Sequence, residues 1–222
     1  MVMAEVLRRS LGGANRERTL PWSSSRLKPD DGETAPPLIV DLGSGAGIPG
    51  LVIAAALGRT RVVLVEASLR RAAFLEEWVS RLGLGNRVEV YEGRAEAFGR
   101  DLAWRERAVG VVARGFGPSA VVAECAAPLL ALDGVLAVSD PPADDRLRGE
   151  LPWDEERWPV DQLSELGLQP ARRYGAPFSV AVMAKVAATP ERYPRRVGVP
   201  AKRPLFGGSP TGRKPPRHCG QS

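Results

Sequence analysis

The sequence predicts an α/β protein built on a doubly wound, mostly parallel, seven-stranded sheet. Three observations carry this. From Leu38 onward, short apolar runs of strand length alternate with longer segments of helical periodicity. The first run ends in a glycine-rich turn that leads into an apolar helix, as at the start of a βαβ unit. Seven strand candidates can be counted, the last two closely spaced.

Taken in order, Leu38-Ile39-Val40-Asp41-Leu42 reads as a buried strand. Ile48 to Leu57 is an apolar helix that Gly58 ends, and Arg61 to Glu66 is a second strand. Ser68 can cap the next helix, in which Leu69, Ala72, Ala73, Leu75, Trp78, Val79 and Leu82 recur at helical spacing up to Gly83. Val88 to Tyr91 is a shorter third strand, followed at Gly93-Arg94-Ala95-Glu96 by a loop, with a capped helical turn as the alternative. A fourth strand spans Ala108 to Arg114, then a helix from Pro118 to Leu130, a turn at Asp133-Gly134 and a fifth strand from Val135 to Ser139. Residues 140–159 read as a long polar loop and Asp161 to Leu166 as a short helix. The last strands are expected near Ala171 to Tyr174 and Phe178 to Val186.

Three regions follow: a loop-like, poorly ordered segment over 1–37, a ligand-binding domain over 38–186, and a basic tail over 187–222. The first has no apolar stretch long enough for a signal peptide, so the cytoplasm is the expected compartment. A mitochondrial transit peptide is a weak alternative, since five acids lie there. No run of eighteen apolar residues exists, which excludes a membrane span. Cys125 and Cys219 are too few for a disulfide framework or a cysteine zinc site, and no metal is expected. His218 is the one histidine and lies in the tail, so histidine catalysis in the domain is excluded.

The net charge of +5 divides unevenly. Residues 187–222 hold eight Lys/Arg and one acid, whereas residues 36–186 hold 17 basic and 20 acidic residues. A short Arg-rich segment suits an anionic partner such as RNA; a solubilising tail is the alternative.

The chemistry concentrates in Asp41-Leu42-Gly43-Ser44-Gly45-Ala46-Gly47-Ile48-Pro49-Gly50. Glycines after a strand permit a tight turn and close approach of a ligand, and the next helix presents free N–H groups. Two readings compete. Gly45-x-Gly47-x-x-Gly50 fits a dinucleotide fingerprint, with Glu66 on a ribose. Asp41-x-Gly43-x-Gly45-x-Gly47 fits S-adenosylmethionine, with Asp41 near the cationic methionine end and Glu66 accepting from both ribose hydroxyls. Asp41 decides for the second, because a carboxylate repels a pyrophosphate. Glu96 and its neighbours suit the adenine. Arg114, closing the fourth strand, points into the same crevice. Asp140-Pro141-Pro142 lacks the aromatic of the amine-methylating motif and reads as a loop. Cys125 reads as a core residue, not a nucleophile.

Five stretches together carry a resemblance: LIVDLGSGAGIPGL (38–51), LVEASLRRAAFL (64–75), Gly93-Arg94-Ala95-Glu96, Ala113-Arg114-Gly115-Phe116 and TPERYPRRVGVPAKRPL (189–205). They resemble the RsmG family, also called glucose-inhibited division protein B, over roughly 38–206. The resemblance implies a class I, Rossmann-like S-adenosylmethionine-dependent methyltransferase acting on guanine N7 of small-subunit (16S) rRNA, as naked RNA or ribosomal particle, and a monomer. By similarity Gly43, Ile48, Ala95, Glu96 and Arg114 fall on cofactor positions, with Glu66 as ribose acid; Arg195, Arg196, Lys202 and Arg203 are the expected RNA contacts. Two departures stand out. The family's longer N-terminal region with a His-x-x-Asp-Ser element has no counterpart here, and Ser139-Asp140 replaces a Lys-Gly pair. An acid at that edge is expected to weaken phosphate attraction. A small-molecule methyltransferase and a non-catalytic S-adenosylmethionine- or RNA-binding protein remain the alternative readings.

Overall fold

The computed structural model describes Glu5 and residues 35–140, 149–175 and 179–207. Its strands are β1 (Leu38–Leu42), β2 (Arg61–Glu66), β3 (Val88–Glu92), β4 (Ala108–Ala113), β5 (Leu130–Ser139), β6 (Leu168–Tyr174) and β7 (Val180–Lys185). The helices are α1 (Gly50–Ala56), α2 (Leu69–Arg81), α3 (Ala95–Arg100), α4 (Ser119–Ala126), α5 (Val160–Glu165) and α6 (Val199–Lys202). The sheet order is β3-β2-β1-β4-β5-β7-β6. β1 to β5 pair parallel, and β7 runs antiparallel to both β5 and β6. The doubly wound, mostly parallel sheet of seven strands is therefore as expected.

Alternation along the central strands divides the core in two. Ile39, Val62, Leu64 and Val112 face one side with Ile53 of α1 and with Leu75 and Val79 of α2. Val40, Val63, Val65 and Val111 face the other, with Phe98 of α3, most of α4 and Leu163 of α5. Central strands covered on both faces need unbroken apolar runs, which is why they were plain in the sequence.

Four boundaries differ from expectation, each for a local reason. A helix, α3, begins at Ala95 where a loop was expected. The predicted 118–130 helix ends at Ala126 and tightens into a 3₁₀ turn over Ala127–Leu129, where Pro128 lacks the N–H an α-helix would use. β5 starts at Leu130, and the expected turn at Asp133-Gly134 is an irregularity inside that strand, with Asp133 at φ 65° and a register shift opposite Ala108/Gly110. Gly134 is needed there, since a Cβ would lie 2.8 Å from the Ala131 carbonyl oxygen. β6 starts at Leu168 and accommodates Pro170 because it is an edge strand with a register shift at that point. Pro141-Pro142, Phe178, His218 and Cys219 lie outside the described residues.

After β7 the chain folds back on the domain. Thr189, Tyr193, Pro200 and Phe206 are buried, and Tyr193 and Phe206 join the same core cluster as α4. Lys185 holds the start of this return: its Nζ donates to Ala127 O (2.9 Å), Leu166 O (3.2 Å) and the Thr189 hydroxyl.

Candidate active site

The parallel register places the ends of β1, β2 and β4 side by side, with Leu42 opposite both Val65 and Ala113. Immediately beyond them lies a cavity of about 400 Å³. Ligands of open α/β sheets sit at this carboxyl edge, where the strand order reverses.

The glycine loop forms the floor. Gly43 and Ser44 N–H groups donate to Val65 O (2.9 and 3.1 Å), folding the loop over the end of β2. Gly43, Gly45 and Gly47 have φ of 68°, 55° and 85°, a region that costs other residues strain. Gly43 is doubly constrained: a Cβ there would sit 2.6 Å from the Phe116 ring.

Glu66 ties loop and strand together. Its Oε2 accepts from Gly45 N–H (3.0 Å), and its Oε1 accepts from Ser68 N–H (2.8 Å) and Arg71 Nη2 (2.9 Å). Burial raises its pKa, but the Arg71 guanidinium and the two N–H groups outweigh that and hold the carboxyl below its ordinary value. It is therefore an ionised acceptor in the cavity wall. Arg71 is largely exposed, so its long side chain can yield one lone pair to a ligand hydroxyl.

Asp41 is placed differently from Glu66. It is 1% exposed and does not line the cavity; its Oδ2 accepts from Gly50 N–H (2.9 Å) at the start of α1. Gly50 cannot carry a side chain, because a Cβ would approach Asp41 Oδ2 to 2.6 Å. Asp41 Oδ1 has no hydrogen-bond partner. Burial pushes this carboxyl up to about 7 against the Gly50 N–H and the Ser44 hydroxyl. Gly47 and Ile48 also lie outside the lining, and Ile48 is half exposed.

Ala95 and Glu96, at the start of α3, do line the cavity, as does Arg114 just past the end of β4. Glu96 is buried, and its Oε1 accepts from Gly198 N–H (3.0 Å) and Arg94 Nη2 (3.4 Å). Against burial, these partners hold its carboxyl below the ordinary value. Arg114 is exposed and has no ion pair among the described residues. Cys125 is fully buried in α4, and burial, with Glu96 and Glu124 nearby, pushes its thiol far up, which removes it as a nucleophile.

The four tail cations separate. Arg196, Lys202 and Arg203 are exposed. Arg195 instead turns inward to Glu124, a fully buried acid of α4 that the sequence reading passed over. Its Nε reaches Oε1 (2.8 Å), its Nη2 reaches Oε2 (2.6 Å), and its backbone N–H also donates to Oε1 (2.8 Å). The available signal was an acid within the apolar run Ala120-Val121-Val122-Ala123-Glu124-Cys125-Ala126, since a buried charge needs a partner.

Asp140 also corrects an expectation. It is buried, not displayed at an edge: it accepts from Arg157 Nε (2.8 Å), Trp158 Nε1 (3.1 Å) and Arg173 Nε (3.4 Å). Two guanidiniums neutralise it, so it does not oppose an approaching phosphate.

S-adenosylmethionine fits these residues. The Gly43–Gly45 cradle leaves room where side chains would intrude, Glu66 at the end of β2 offers a carboxylate for a diol, and the orphaned Asp41 oxygen lies one residue before the end of the neighbouring β1.

The family model described as GidB, rRNA small subunit methyltransferase G, matches residues 27–140. The Ribosomal RNA small subunit methyltransferase G of Chloroflexus aggregans is 38% identical over 181 residues, covering 79% of this chain and 72% of its own. That of Pelotomaculum thermopropionicum is 38% identical over 175 residues, with 75% and 69% covered. Among solved structures, the riboflavin-derivative dimethyltransferase RosA from Streptomyces davawensis aligns with a TM-score of 0.52 at 19% identity, covering 68% of this chain and 50% of that one, a likeness of fold. By the extent and identity of these matches, the chain belongs to the GidB family of small-subunit rRNA methyltransferases.

Proposed function

We propose that this methyltransferase transfers a methyl group from S-adenosylmethionine to N7 of a guanine in small-subunit rRNA, in the cytoplasm. The observation that carries the reading is the cavity at the ends of β1, β2 and β4, where the ionised Glu66 and the exposed Arg114, without an ion pair among the described residues, face one space above a glycine floor. When bound there, S-adenosylmethionine supplies an electrophilic methyl carbon on a sulfonium. Glu66 accepts from the ribose hydroxyls, and the Gly45 N–H that it holds keeps the loop in place. Ala95 and Glu96 border the adenine, and Asp41, buried outside the lining, acts on the site indirectly by holding the start of α1 through the Gly50 N–H. Arg114 orients the methionine carboxylate or the target base.

Guanine N7 has an in-plane lone pair and no proton to remove. The chain's task is therefore orientation, and no general base is required. The buried, protonated Cys125 and the lack of histidine in residues 36–186 accord with that economy. Transfer of tritiated methyl groups to small subunits from a strain lacking this gene tests the reading. Label mapped to one guanine N7 supports it. Label elsewhere, or turnover on RNA-free extract alone, refutes it.

A further inference from the structure

The segment after β7 is tied down by side chains of α3, the loop beyond it and α4. Arg105, beyond α3, donates to Tyr193 O (2.8 Å) and Thr189 O (2.7 Å), and Arg100 of α3 donates to Pro194 O (3.0 Å). Glu96 accepts from Gly198 N–H, and Ala201 of α6 completes one wall of the cavity. The strongest tie is the Glu124 carboxylate, which takes three N–H groups of Arg195. Arg195 Nη2 in turn donates to Arg203 O (2.7 Å). One buried acid thus sets both ends of the 195–203 stretch. On that stretch Arg196, Lys202 and Arg203 are exposed, with no ion pair among the described residues.

We propose that Glu124 is a positioning residue for RNA: through Arg195 it fixes residues 195–203 as a cationic rim beside the cavity, and that rim takes the phosphates flanking the target base. The inference rests on the methyl-transfer reading above and refines which cations do the work. Arg195 is structural, spent on Glu124, and the phosphate contacts fall to Arg196, Lys202 and Arg203. The fork geometry matters, because a guanidinium can satisfy both carboxylate oxygens and still reach the Arg203 carbonyl, whereas an ammonium cannot hold that arrangement.

The test uses the full chain with small subunits lacking the modification. Glu124→Gln and Arg195→Lys are expected to raise the RNA KM at least tenfold, with kcat and the calorimetric Kd for S-adenosylmethionine within threefold of the parent. Replacing Arg196, Lys202 and Arg203 together by Ala should raise KM similarly. It should also reduce the slope of log affinity against log salt by about 2, the value for three contacts to single-stranded phosphates. Should Glu124→Gln not fold, Arg195→Lys and the triple variant decide. The proposal is overturned if KM and salt slope stay at parental values, or if cofactor Kd and RNA KM rise together, which marks a merely structural pair. Absence of methyl transfer by the parent chain refutes the functional reading instead. RNA affinity and salt slope, measured by filter binding, then still judge the rim.

Discussion

Asp41→Asn should make the cofactor-free protein more stable at alkaline pH, an unusual outcome for the acid that opens a binding motif. In the folded chain Asp41 titrates at about 7 against an ordinary 3.8, because burial removes water and one oxygen has no replacement partner. Between those pH values the native state keeps a proton that the unfolded chain has released. Stability therefore falls as pH rises, by 1.36 kcal/mol per pH unit, about 4 kcal/mol in full by pH 8. An amide keeps an oxygen for the Gly50 N–H but carries no charge, so its stability does not follow this curve. Between pH 5 and pH 8 the variant should gain about 3 kcal/mol relative to the parent, roughly 6–12 °C in Tm for a chain of this size. Other titrating groups are common to both proteins and cancel in the difference. Thermal unfolding followed by circular dichroism at pH 5, 6, 7 and 8 measures it. Parallel Tm curves for the two proteins would refute the burial argument.

Other expectations follow from single contacts. Glu66→Gln removes one charged acceptor from the Gly45, Ser68 and Arg71 donors; with charge-assisted hydrogen bonds contributing about 1.5–3 kcal/mol, calorimetric cofactor affinity should fall about 10- to 150-fold. Gly43→Ala must hold a side chain at φ 68° with its Cβ 2.6 Å from Phe116, costing about 2–3 kcal/mol by denaturant titration; an unchanged midpoint would show that the ring swings away freely. Asp140→Ala strands the Arg157 and Arg173 guanidiniums and the Trp158 indole N–H, and should lower stability by about 3 kcal/mol while leaving RNA KM unaltered. A lower KM in that variant would revive the idea of an acid facing the RNA.

What the sequence made legible was whatever depends on neighbours within a few residues. β1, β2 and β4 announce themselves as apolar runs, and the glycine loop declares its backbone by composition. Glu66 could be named because it ends a strand beside that loop. What stayed hidden depends on distant partners. Glu124 and Arg195 are 71 residues apart, and Asp140 and Arg173 are 33 apart, so neither acid's role can be read locally. α3 registered only as a capped helical turn, the alternative to a loop, because six residues containing Gly99 give little periodicity. That glycine is buried where a Cβ would touch Pro194 at 3.0 Å, a packing demand set by the returning chain. Asp133-Gly134 looked like a turn because the residues that form turns also form strand irregularities; only pairing with Ala108 and Gly110 distinguishes them.

The basic character of residues 187–222 is thus a poor guide to contact until each cation is assigned a task. Arg195 is neutralised by Glu124, and Arg157 and Arg173 by Asp140 together with Asp154, and such clusters add little field at a distance. Arg100, Arg105 and Lys185 bind backbone carbonyls, which satisfies their N–H groups without cancelling their charge. They still contribute to the potential that draws RNA toward this side, though their hydrogen-bonding capacity is committed. Arg114, Arg196, Lys202 and Arg203 are exposed and have no side-chain partner among the described residues. Direct phosphate or base contact can come from such groups without first breaking something in the fold. Substitutions among the carbonyl-bound cations should therefore slow association and lower stability together, whereas substitutions of Arg196, Lys202 and Arg203 should change RNA affinity alone.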